Sequence, residues 1–121
     1  MSVLIDVYEV ADKMRQLERD RDELIAKRSE APHDSDLWNY GYEEIAYMQA
    51  DIDGYREEIE DHYLSQPSEA RFTKDNCVYE LFFADVLGYY MVTENKRVIG
   101  IFECAEVDAL KNFRKVVDEE A

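Results

Sequence analysis

The sequence predicts an α+β domain in the order ααβββα: a long antiparallel helical hairpin over residues 3–66, a three-stranded antiparallel β-meander over 77–104, and a C-terminal helix over 106–119. Three observations predict it. Apolar residues recur at steps of three and four on both sides of Pro32, the spacing of a helical face. Beyond Pro67 come three short runs rich in β-branched and aromatic residues, the composition of strands. A last amphipathic stretch follows them. At 121 residues, a single domain with a modest core is the natural expectation.

The first helix is read over residues 3–31. Val7, Val10, Met14, Leu17, Arg21, Leu24, Arg28 and Ala31 make its stripe. Its charges are nearly balanced, eight acids against six bases. Glu9 with Lys13, Arg19 with Glu23 and Glu23 with Lys27 stand four apart, and Glu18 with Arg21 three apart, all spacings that allow ion pairs. Ser29 to His33 then turns the chain. Folding about His33 sets Val7 against Ile59, Met14 against Ile52, Leu17 against Met48 and Arg21 against Ile45. It also puts Arg28 beside Trp38, within reach of the indole face.

The second helix runs from Asp34 to Gln66 and carries the unusual surface. Ile45, Met48, Ile52, Tyr55, Ile59 and Tyr63 are its apolar stripe. Asp34 or Ser35 caps its start, and Pro67 ends it by pushing Gln66 out of helical torsions. Ala46, Ala50 and Gly54 stand four apart, which suggests a close backbone neighbour. Ten acids, from Asp34 to Asp61, face one base, Arg56, so the segment holds −9 of the chain's net −15.

The meander is read as Cys77–Ala84, Gly88–Thr93 and Arg97–Phe102, with Glu94 to Arg97 as a tight hairpin turn around Asn95. Tyr89 and Tyr90 point to opposite faces, with one of them exposed or covered by the helical hairpin. The stretch from Ser65 to Asn76 is read as the one joint. In the last helix Val107, Leu110, Phe113 and Val117 form the side laid on the sheet. Cys77 and Cys104 are read as reduced core thiols, since two cysteines without histidine partners do not make a zinc site.

Composition excludes several functions. Net −15 disfavours direct binding to nucleic acid or to an anionic membrane, both of which need Lys and Arg. No apolar run approaches the ~20 residues of a membrane span, and no secretory signal opens the chain, so a cytoplasmic protein is expected. No nucleophile, phosphate loop or cofactor motif occurs, so no catalytic residue and no cofactor are assigned. Glu57-x-x-Glu60 and Glu58-x-x-Asp61 could each offer two carboxylates to Mg²⁺, but without a phosphate loop a Mg-dependent nucleotide hydrolase ranks third.

What remains is the acidic face. Asp53, Glu57 and Asp61 lie four apart, and like charges at that spacing cost about 0.2–0.5 kcal/mol per pair. A helix serving only structure gains nothing from them. The sequence therefore points to a non-enzymatic binding protein whose second helix occupies a basic, nucleic-acid-binding surface on a partner protein. The residues assigned to that dock are Glu43, Glu44, Asp51, Asp53, Glu57, Glu58, Glu60 and Asp61, with Tyr40 and Tyr47 as apolar anchors. In size and charge the chain resembles the small acidic anti-restriction and anti-CRISPR inhibitors of phages, which implies a DNA mimic. The alternative is a structural module in which two hairpins form a homodimer and the acids keep it in solution.

Overall fold

A computed structural model describes residues 6–120. Its elements are α1 (Val7–Glu30), α2 (Asp36–Leu64), β1 (Ala70–Lys74), β2 (Cys77–Ala84), β3 (Tyr89–Glu94), β4 (Arg97–Phe102) and α3 (Glu106–Glu120). The α+β class holds, with four strands where the composition pointed to three. The chain divides into two compact units at the Ile59–Glu60 bond.

The first unit is the helical hairpin. Asp6 is extended, and its carboxylate accepts the Tyr8 and Glu9 N–H groups at 3.0 and 3.2 Å. That cap sets the start of α1 at Val7; positions 3–5 of the expected helix lie outside the described residues. Ala31, extended ahead of Pro32, ends it. Ser35 Oγ caps α2 by accepting the Trp38 N–H at 3.2 Å. At the other end the Ser65 hydroxyl donates to the His62 carbonyl at 2.6 Å and closes the last turn. The expected span of 34–66 thus shortens by two residues at each end.

Side chains crossing between the arms fix the antiparallel arrangement. Arg28 Nε donates to the Trp38 carbonyl at 3.0 Å, and its guanidinium sits 4.8 Å from the indole centroid. His33 also stacks on Trp38, with ring centroids 4.2 Å apart. Arg21, expected opposite Ile45, instead donates to Gln49 Oε1 at 2.7 Å, one turn further along. Val7, Ala11 and Met14 of α1 are buried, as are Ile52 and Ile59 of α2. The close approach falls at Gly41, where an added Cβ would stand 3.2 Å from Arg28 Cδ. It does not fall at Gly54: no atom of the described residues lies within 4 Å of a Cβ there, and Ala46 and Ala50 are exposed too. Those three residues face away from the apolar stripe, so their spacing reports no packing.

The second unit holds the last turn of α2, the sheet and α3. Strand order is β1-β2-β3-β4, every neighbour antiparallel. The stretch expected to be a joint contains β1. A two-residue turn links it to β2 through Asp75 and Asn76, at φ 52° and 67°, and Asn95 and Lys96, at 49° and 72°, turn β3 into β4 in the same way. Positive φ at both central positions is the turn whose twist matches paired strands. Gly88, at φ 75°, closes the β2–β3 loop by donating to the Ala84 carbonyl at 2.8 Å.

Each sheet face has its own core. On one, Tyr79, Leu81, Tyr90 and Val92 pack with Ala109, Phe113 and Val117 of α3, and the free thiols Cys77 and Cys104 border them half-buried. On the other, Phe82, Ala84, Tyr89 and Met91 pack with Tyr63 and Leu64. Tyr89 and Tyr90 do point to opposite faces, and both are buried, Tyr89 under Tyr63 and Leu64 at the end of α2, the covering expected of the second helix. Burial, then the Glu106 and Glu69 carboxylates, raises the Tyr90 phenol above its ordinary value, so it stays neutral. The buried side of α3 is the line of Ala109, Phe113 and Val117, four apart. Val107 and Leu110, expected on that side, are therefore turned out, 64% and 43% exposed.

Candidate functional site

α2 displays its carboxylates because its apolar stripe is turned toward the hairpin seam. At about 100° per residue, Tyr40, Glu43, Glu44, Tyr47, Asp51 and Glu58 fall in one arc of roughly 100° that flanks the stripe. All six are exposed, Tyr40 by 62% and Tyr47 by 72%. Glu43, Tyr47 and Asp51 are spaced four apart, so Tyr47 stands between two carboxylates, one turn on either side. Asp61, five turns beyond Glu43, shares its azimuth at the edge of the arc, and Glu57 lies about 40° outside it; both are exposed.

Two of the expected site residues are engaged elsewhere. Glu60 is half-buried, and its Oε1 accepts the Tyr89 hydroxyl at 3.0 Å; it belongs with the sheet. Asp53 accepts Gln49 Nε2 at 2.8 Å and stands 3.8 Å from the Arg56 guanidinium. The line of Asp53, Glu57 and Asp61 is therefore partly neutralised at its first member. No ion pair reaches Glu43, Glu44, Asp51, Glu57, Glu58 or Asp61 among the described residues. Those six, with Tyr40 and Tyr47, are what the face presents.

On α1 the expected pairs Glu9–Lys13 and Glu23–Lys27 form, at 3.7 and 3.0 Å. Arg19 turns to Gln16 instead of Glu23, and Arg21 binds Asp22 rather than Glu18. Among the described residues no group of three or more His, Cys, Asp or Glu is placed to hold a metal ion. The two-carboxylate steps on α2 bring no third ligand. No helix among these residues is long and apolar enough to cross a membrane.

A feature of the second unit escaped the sequence. β1 forms one edge of the sheet, with Arg71 and Phe72 exposed beside α3. The available signal was Asp75-Asn76, a pair suited to a two-residue turn. No family model, curated protein or solved structure matches this chain.

Proposed function

We propose that this is a non-enzymatic binding protein whose exposed α2 face docks on a basic surface of a partner protein, one that ordinarily holds nucleic acid. The observation that carries the reading is the set of unpaired carboxylates on α2. From Glu43 to Asp61 six exposed acids without an ion-pair partner among the described residues are spread along the helix. At 1.5 Å per residue that is about one charge per 5 Å, of the same order as the ~3.4 Å axial spacing of phosphates on one DNA strand. Tyr40 and Tyr47 add rigid apolar area within the same arc, as interface anchors commonly do. Opposed fields of this kind accelerate encounter and make it salt-sensitive.

The test reverses Glu57, Glu58 and Asp61 to lysine, moving the net charge from −15 by six units to −9. Folding should survive, because all three are exposed. A pull-down at low and high salt identifies the partner, and titration against it should show at least a tenfold loss of affinity and a flatter salt dependence. Unchanged affinity in the triple variant would reduce the acidic face to a solubilising coat.

A further inference from the structure

We propose that the open edge of β1, with the groove between β1 and α3, binds an extended segment of a partner protein in which apolar and acidic residues alternate. Among the described residues β1 has a neighbour on one side only. Val78, opposite Thr73, donates its N–H to Asn95 Oδ1, and its carbonyl accepts the Asn95 N–H, both at 2.9 Å. Val78 thus bonds away from β1, so Thr73 bonds away from β2. In an antiparallel ladder this alternates, and Arg71, two residues earlier, shares the orientation. Their N–H and C=O groups are offered to an incoming strand, the bonding by which sheet edges capture extended peptides.

Side chains of an added strand alternate between the faces, and the surroundings of β1 differ on the two. On the α3 side lies a groove of about 300 Å³. Phe72 and Leu110 form its lips, 45% and 43% exposed, over buried Phe113 and Val117. That side suits apolar residues. On the other side Arg71 borders a hollow with Lys96 and Glu80. Lys96 already pairs with Glu80 at 3.1 Å, whereas Arg71 has no carboxylate partner among the described residues. That side suits acids.

Charge selects the occupant. Arg71 and Arg114 line the groove with one acid, Asp118, and Arg71 and Lys96 line the hollow with one acid, Glu80. With Arg71 lining both, three cations stand against two acids around β1, in a chain where acids outnumber bases 29 to 14. A second copy of β1 would bring Arg71 and Lys74 against the same cations, and like charges across strands repel. An acidic partner strand meets no such opposition.

The probe is the acetylated, amidated peptide Val-Glu-Phe-Glu-Val, titrated into the full ¹⁵N-labelled chain and followed by NMR. Shifts should centre on β1 and residues 110–118, with a dissociation constant on the order of 0.1 mM. Exchange of the Arg71 and Thr73 amide protons should slow about tenfold as they become bonded. Thr73→Pro removes an outward N–H at an edge, where proline is tolerated, and should abolish the shifts. Arg71→Glu alters an exposed side chain and should weaken binding about tenfold; it carries the test if the proline variant fails to fold. Four outcomes overturn the proposal. These are no shift at ~1 mM peptide, equal binding of the block-order peptide Glu-Glu-Val-Val-Phe, shifts centred on α2, and a dimer that protects both amides without peptide. The last would make a second copy the occupant.

Discussion

α1 and α2 are the two arms of one hairpin, 24 and 29 residues long, and they treat charge in opposite ways. α1 opens with Glu9 and ends with Lys27 and Arg28, so its charges oppose the helix dipole at both ends. Its lysines pair with Glu9 and Glu23. α2 gathers Glu57, Glu58 and Asp61 near its negative end, and its last turn contains only His62 as a basic residue. Burial is shared between the arms; electrostatics is not. The apolar stripe decides that each arm is a helix, and the exposed face is then left free. On α1 that face adds to stability, whereas on α2 it works slightly against it, so folding does not account for the composition of α2.

The largest expected effect attacks what the arms share. Met14→Ala and Ile52→Ala remove side chains that are 4% and 0% exposed, and each should cost about 2–5 kcal/mol in urea unfolding. If only one of them proves costly, the seam is not a joint structure and the comparison breaks. Glycine gives a sharper and smaller contrast. Gly54→Ala, with open space around the new methyl, should gain about 0.5–1 kcal/mol. Gly41→Ala should gain less, because its Cβ would press on Arg28 Cδ and Leu37 Cδ1, each at 3.2 Å. Thermal denaturation of the two variants side by side checks that order. The smallest effect concerns charge itself. Lys27→Glu should lose roughly 0.3–0.5 kcal/mol, and Glu57→Lys should gain roughly 0.2–0.5 kcal/mol by relieving Asp53 and Asp61. Equal signs in the two variants would erase the distinction between the faces.

Much of this was legible in the chain. The hairpin was, because stripes of eight and six positions on the two arms are long enough to fix the helical period, and every one of those residues is buried or half-buried. β2 and β4 were legible from their run of β-formers. β1 was not: in Ala-Arg-Phe-Thr-Lys the three central residues are exposed, so no burial pattern marks the strand. Its pairing depends on a turn and on a partner strand that local composition does not specify. In α3 Phe113 and Val117 were legible as core, whereas Val107 and Leu110 look like core residues by type but the small Ala109 completes the buried line instead. The acidic face was legible as composition. That Glu60 is taken by Tyr89 was not, since 29 residues separate them and only the fold brings them together.

The sheet order β1-β2-β3-β4 also bears on how quickly the second unit forms. Each strand pairs with its neighbour in sequence, and the longest of the three connections, Asp85 to Gly88, is four residues. Closing such loops takes on the order of 10–100 ns, and single hairpins form in about 1–10 μs. No distant strand has to be found before the ladder grows, so contact order stays low for a structure with this much sheet. A chain emerging from synthesis can zip this meander one hairpin at a time, with no unpaired central strand left waiting in solvent.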